Sequence, residues 1–311
     1  MMLKVSDYNY LKKYFHKCAD NFSKNNFHKK MDLISKDKKN YINLNDKGYC
    51  VLRNVFEKKY INEIKKNFDN HIKDLRNISI PRDLRFQKKN IEQINLPKLD
   101  AETFLSGEKY FRNYVDSIKL KDPLINIPKI LNIALNKRIL SICSNYFGYL
   151  PYLTFIKCVK TYANKLKEHD TQHFHIDENA LKLLKIFVYL NDVNSVKDGP
   201  FYYIQNSFKN IENKWGQKAR WNEKYLKKIY GDKNFVPLLA KKGDVIIANT
   251  VAFHRGIKPI NKDRNIIILN YGLHLDFTFN NKLDLASSIL KKDFKKQSER
   301  NQDVLALLKQ I

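Results

Sequence analysis

Four residues in the second half of the chain have the types and spacing to do chemistry together: His175 and Asp177, then His254, then Arg264. Two imidazoles and a carboxylate are the ligand set of a 2-His-1-carboxylate facial triad, which holds a non-haem Fe(II) ion and leaves open positions for O2. On a strand, residues two apart project from the same face, so His175 and Asp177 can reach one metal from a rigid base. A hard oxygen ligand beside imidazole suits Fe(II). Plainer readings stand beside this one. A His-x-Asp pair arises readily by chance in a chain with eight His. His173 shares the same face, and Arg264 directly follows Asp263, as in a surface ion pair.

Elements able to position these residues follow from periodicity. Residues 1–46 are polar and basic and read as an N-terminal extension. A short strand is expected at 48–55, after a glycine turn. Ile61, Ile64, Phe68, Ile72 and Leu75 recur at three- and four-residue spacing, which predicts an amphipathic helix over 57–76. A polar loop at 77–100 and helices at 101–118 and 127–147 follow, the last stopped by Gly148. Beyond Pro151 the pattern turns to strands, at 153–162, 171–177, 184–190 and 201–204. After a polar insert at 206–233 they resume at 235–240, 245–248, 251–255 and 265–274. Eight short strands in two groups predict a mainly β chain with flanking helices, a jelly roll of two facing sheets around a pocket. The catalytic domain is expected at 47–282, with helical part 57–147 and barrel core 151–275. Val304, Leu307, Leu308 and Ile311 share one face of a C-terminal helix within 283–311.

The surrounding segments carry a more specific signal. Gln172-His-Phe-His-Ile-Asp177 is followed by Lys185-Ile-Phe-Val-Tyr-Leu-Asn-Asp-Val193 and Asp198-Gly-Pro-Phe-Tyr-Tyr-Ile-Gln-Asn-Ser207. Then come Gly243-Asp-Val-Ile-Ile-Ala-Asn-Thr250, Phe253-His-Arg-Gly256 and Arg264. In order and spacing this series resembles the phytanoyl-CoA dioxygenase family of Fe(II)/2-oxoglutarate enzymes, with a looser likeness over 48–274. The resemblance implies a double-stranded β-helix of the cupin type, with His175, Asp177 and His254 on iron. It implies that Arg264 pairs with the distal carboxylate of 2-oxoglutarate, since guanidinium stays charged and offers two parallel hydrogen bonds where lysine cannot. It further implies O2 as the other cosubstrate, succinate and CO2 as products, and hydroxylation of a small organic molecule at an unactivated C–H bond. Related halogenases lack the carboxylate, so Asp177 favours hydroxylation. Gln172 falls where related enzymes place a residue beside the cosubstrate, and Phe187 is a candidate wall. Two departures stand out. Relatives often have Ser or Thr two residues after the distal His, whereas this chain has Gly256, so Arg264 needs another helper, with Lys160 or Tyr162 as candidates. A Pro-Gly-Ser-His turn of relatives is replaced by Gln205-Asn206-Ser207-Phe208. His274 reads as a strand-end residue, His16, His28 and His71 as solvated, and Arg255 as pointing away from His254.

Composition bounds the alternatives. The net charge of +26 raises a nucleic-acid partner, and with it oxidative demethylation of a nucleic acid. However, the excess is mostly Lys in scattered pairs, alongside abundant Asn, Ile, Tyr and Phe, as AT-rich codon usage produces. Those lysines therefore read as a solvated surface with no specific nucleic-acid partner. A third reading, a non-catalytic binding module on the same barrel, sits poorly with an intact set of four residues. No apolar run approaches the length of a membrane span, and the start lacks a secretory signal. Cys18, Cys50, Cys143 and Cys158 form no CxxC pair and read as free thiols of a cytoplasmic protein.

Overall fold

The computed structural model describes residues 30–79, 112, 115–168, 170–178, 182–211 and 213–272. The expected C-terminal helix at 283–311, His16, His28, His274, Cys18 and most of the loop at 77–100 lie outside the described residues. The scaffold is a seven-stranded antiparallel sheet in the order β1-β8-β5-β10-β4-β3-β2, faced by a smaller sheet in the order β7-β6-β9. Its strands are β1 (Tyr49–Leu52), β2 (Ile78–Ser79), β3 (Ser117–Leu120), β4 (Tyr152–Thr161), β5 (Leu183–Tyr189), β8 (Val245–Asn249) and β10 (Arg264–Gly272). The small sheet comprises β6 (Phe201–Ile204), β7 (Phe235–Leu238) and β9 (His254–Gly256). This is the expected jelly roll.

Alternation along the central strands divides their side chains between two layers. On β10, Ile267, Leu269 and Tyr271 face out and are fully buried beneath the helices. Arg264, Ile266 and Ile268 face in. On β4, Ile156 and Cys158 face the helices, while Phe155, Lys157, Val159 and Thr161 face in. The outer layer is closed by α1 (Lys38–Lys47), α2 (Lys58–His71), α3 (Pro123–Asn126), α4 (Ile130–Ala134) and α5 (Lys137–Phe147). Helix α2 presents Ile61, Ile64 and Phe68 to the sheet at the spacing that predicted it. Between the sheets, Phe187, Tyr189, Phe201, Tyr203, Ile246 and Ile266 form the inner core.

Several elements differ from expectation. The single helix over 127–147 is broken, because Asn136 is extended and its side chain caps α5 by accepting from the Arg138 and Ile139 amides. The end of the helix expected at 101–118 is strand β3, and 101–111, 113 and 114 lie outside the described residues. The strand expected at 171–177 begins as a 3-10 turn, Asp170–Gln172, and becomes strand-like only through bridges at Phe174 and His175. The polar insert at 206–233 contains α6 (Glu223–Tyr230) and buries Trp215, Trp221 and Leu226 against Phe174 and Phe253. Its apolar residues are few but large, and aromatic side chains of this size build a core with little help from neighbours.

Gly48 ends α1 with φ 89°. A Cβ there would lie 2.2 Å from the Tyr203 hydroxyl, which bridges the Gly48 and Asn249 carbonyls at 3.1 and 2.9 Å. Helix α1 thus belongs to the barrel's packing. The turn before it buries Asp37, whose carboxylate meets the Arg138 guanidinium with bonds of 2.7 and 2.9 Å. Burial opposes ionisation of Asp37, but the hydrogen bonds and charge of Arg138 outweigh it and hold the carboxyl below its usual range. Asp37→Asn is expected to cost about 2–3 kcal/mol, because it leaves a mostly buried cation short of its partner. A depressed carboxyl contributes stability above its unfolded pKa of about 3.9 and loses it as pH falls through the lower folded value. The stability gap between wild type and variant in urea unfolding should therefore be full at pH 7 and shrink below about pH 4. A gap independent of pH would show that the pair is not its source.

Candidate functional site

The His175 segment and β9 meet as a pair of residues, His175 opposite His254, joined by reciprocal backbone bonds of 3.0 Å. Their rings lie 4.3 Å apart, centre to centre. Asp177 is fixed alongside when its amide donates to the Thr250 carbonyl at 2.9 Å. One ligand atom from each of His175, Asp177 and His254 falls within 4.8 Å of the others, and this is the group placed to hold a metal among the described residues. His173, on the same expected face, is exposed and contributes only its carbonyl.

Backbone contacts set the chemistry of both imidazoles. His175 Nδ1 sits 2.9 Å from the His173 carbonyl, and His254 Nδ1 sits 2.8 Å from that of Ala252. A carbonyl only accepts, so Nδ1 carries the proton and the Nε2 lone pair is left for a metal. Burial favours the neutral rings, lowering His175 and pulling His254 down to about 3. Burial works against a charged Asp177, but Lys185 and the two histidines outweigh it and hold the carboxyl well below its usual range. Asp177 Oδ2 lies 2.6 Å from Lys185 Nζ and 3.7 Å from His254 Nε2. Two neutral nitrogen donors and one carboxylate are a fitting donor set for Fe(II).

Arg264 reaches into the same cavity, which has a volume of about 230 Å³ and is also lined by His175, His254, Gln172, Phe187 and Gly256. Its guanidinium donates to the Gly199 carbonyl and, at 3.1 Å, to Thr161 Oγ1, while its buried Nε has no acceptor. Asp263 does not pair with it. That carboxylate takes Arg112 and the Ala163 amide instead. A largely buried guanidinium whose partners are all neutral can take a carboxylate as a charge-assisted partner.

Gln172 and Phe187 line the cavity. Lys160 does not. It stands on the opposite face of β4 from Val159 and Thr161, 3.9 Å from Asp263. Strand alternation gives Arg264 the hydroxyl of Thr161, its register partner on β4, in place of Lys160 or Tyr162. The 205–208 turn is also away from the cavity, with Ser207 bonded to the Ile204 carbonyl and the Phe253 amide. Arg255 points outward, over Phe174 and Tyr202, and pairs with Glu223 at 3.1 Å. Sequence reasoning missed three cavity lysines, Lys119, Lys157 and Lys185. Their signal was the period-two pattern they share with Ser117, Phe155 and Phe187 on the same strands.

No family model matches the chain, and no curated protein matches its sequence. Solved structures do share its fold. HygX from Streptomyces hygroscopicus, with nickel, 2-oxoglutarate and hygromycin B bound, is 15% identical with a TM-score of 0.51, covering 82% of this chain and 94% of its own. The non-haem α-ketoglutarate-dependent epimerase SnoN from nogalamycin biosynthesis is 12% identical with a TM-score of 0.53, covering 80% and 89%. EctD from S. alaskensis with bound Fe is 18% identical with a TM-score of 0.50, covering 76% of each chain. The chain therefore has the jelly-roll fold of iron/2-oxoglutarate oxygenases. At these identities the likeness is one of fold, and the narrower phytanoyl-CoA dioxygenase reading rests on sequence motifs alone. No helix among the described residues is long and apolar enough to cross a membrane.

Proposed function

We infer that this protein is an Fe(II)- and 2-oxoglutarate-dependent dioxygenase that hydroxylates an unactivated C–H bond of a small organic molecule. One observation carries the reading. The two histidines of a His-Asp-His donor set and a largely buried guanidinium without a carboxylate partner among the described residues open onto one cavity. His175 and His254 would hold the metal through Nε2 and Asp177 through its carboxylate. Arg264, steadied by Thr161, would bind the distal carboxylate of 2-oxoglutarate, and Gln172 lies beside that position. Bound there, iron supplies O2 activation coupled to decarboxylation of 2-oxoglutarate to succinate and CO2. Phe187, Val159, Phe201 and Ile266 wall the cavity and keep water from the reacting groups. Asp177 favours hydroxylation over halogenation, because it fills the position a halide would need. SnoN, an epimerase, shows that this fold also serves other outcomes.

The test is succinate formation when anaerobically iron-loaded protein with 2-oxoglutarate meets O2, with and without a metabolite library. Succinate that rises with iron, 2-oxoglutarate and O2 together supports the reading, and its absence under all conditions contradicts it. A further expectation concerns Gly256. A Cβ there would meet Arg264 Nη2 at 3.8 Å, an ordinary contact. Gly256→Ser should therefore fold normally and bind 2-oxoglutarate at least as tightly, since it adds a hydroxyl beside the guanidinium. Weakening by more than about ten-fold would show that the added side chain crowds the Arg264 guanidinium instead of assisting it.

A further inference from the structure

Arg264 and Lys157 stand toward opposite ends of the cavity. Lys157 on β4 pairs with Ile268, four residues along β10 from Arg264, a span of about 13 Å on an extended strand. Both side chains line the cavity. Lys157 has an aromatic face beside it, its Nζ 4.2 Å from the centre of the Phe155 ring. A ring face attracts the cation without accepting its N–H donors as an oxygen would. Among the described residues no carboxylate stands within ion-pair distance of it, and Asp177, whose charge reaches it, is held by Lys185 at 2.6 Å. Lys185 Nζ is also 5.9 Å from the Phe155 ring centre, which links this end of the cavity to the metal ligands. Burial, then the charges of Lys185 and Lys119, pull Lys157 down to about 8. At neutral pH it is still mostly an ammonium.

We propose that the substrate is a small monocarboxylic acid whose carboxylate pairs with Lys157, so that its carbon skeleton extends toward His175 and His254. The proposal rests on the oxygenase reading above and adds to it the chemical class of the substrate. One ammonium is matched by one negative charge. The neighbouring walls, Phe155, Phe187 and Ile268, suit a hydrocarbon skeleton with no further charge. The bond between ammonium and carboxylate is charge-assisted, and a neutral group of the same shape cannot replace it. With the distal carboxylate of 2-oxoglutarate on Arg264, the two acids occupy opposite ends of the cavity and do not compete. Its volume of about 230 Å³ limits the acid to a small one.

The test is calorimetric titration of the full chain, loaded with Ni(II) and saturating 2-oxoglutarate, with propionate, hexanoate and benzoate and with their primary amides. At least one acid should bind the loaded wild type about ten-fold or more tightly than its amide. Lys157→Met should abolish that preference, and Lys157→Arg should keep most of it. Metal stoichiometry and 2-oxoglutarate affinity should be unchanged in both variants, which also shows that they fold. A loaded wild type that prefers no acid, including one that binds neither acids nor amides, would overturn the proposal and leave the oxygenase reading standing. So would a preference that survives in Lys157→Met, or an acid displaced by more 2-oxoglutarate, which marks the Arg264 site. Loss of 2-oxoglutarate binding in Lys157→Met would overturn it as well, by assigning Lys157 to the cosubstrate. A wild type that takes up neither metal nor 2-oxoglutarate fails at the loading step, before any acid is added. That outcome rejects the oxygenase reading and the proposal with it.

Discussion

Replacing His175 or His254 with Ala is expected to abolish stoichiometric Fe(II) binding while leaving the chain folded. The two imidazoles present Nε2 toward Asp177 because each Nδ1 is committed to a backbone carbonyl two residues earlier. The barrel's apolar core is built from aliphatic and aromatic side chains that the two rings border, His254 with its ring centre 5.2 Å from that of Phe201. Loss of a partner behind a metal ligand already weakens metal binding by roughly 10–100-fold, and loss of a ligand itself should do more. Anaerobic equilibrium dialysis against Fe(II) reads the effect, with circular dichroism as the check on folding. One iron per chain retained in both variants would remove these histidines from the metal centre.

Arg264→Ala is expected to keep the metal and lose the cosubstrate. The buried guanidinium has neutral acceptors in the Gly199 carbonyl and Thr161 Oγ1 and an unsatisfied Nε, so a carboxylate gains a charge-assisted pair. Removing that pair from a mostly dry site costs about 3 kcal/mol, a loss on the order of a hundred-fold in 2-oxoglutarate affinity. Arg264→Lys should recover only part of it, because ammonium cannot make the two parallel bonds. Equal affinity in wild type and the Ala variant would mean that another cation of the lining, Lys119, Lys157 or Lys185, holds 2-oxoglutarate.

That His175, Asp177 and His254 come together was legible from the ordered series of motifs, and the shared face of His175 and Asp177 from their two-residue spacing. Two residues along an extended segment share a face, whatever the rest of the fold does. The jelly roll was legible for a similar reason, since strands alternate and turns punctuate them. Lys160 illustrates what was not. Whether it or Thr161 faces Arg264 depends on the register between β4 and β10, set by packing across two distant segments and unavailable from either alone. The cavity lysines were hidden by composition. In a chain carrying 58 Lys and Arg, three that point inward look like all the others until the sheet assigns them a face. Asn136 was another local choice that hydrophobic spacing could not reveal. Its cap divides the helical run at 127–147 without disturbing the apolar pattern on either side.

The central claim, that one cavity holds a metal on His175, Asp177 and His254 and 2-oxoglutarate on Arg264, is tested most directly by anaerobic titration of Fe(II) into the protein with 2-oxoglutarate. The visible charge-transfer absorption of an iron-chelated 2-oxo acid reports both partners at once. Saturation at one iron per chain is expected in wild type, with no band in the His175→Ala and His254→Ala variants and a band restored in Arg264→Ala only at far higher 2-oxoglutarate. A wild type without the band, or a band of equal strength in the histidine variants, would contradict it.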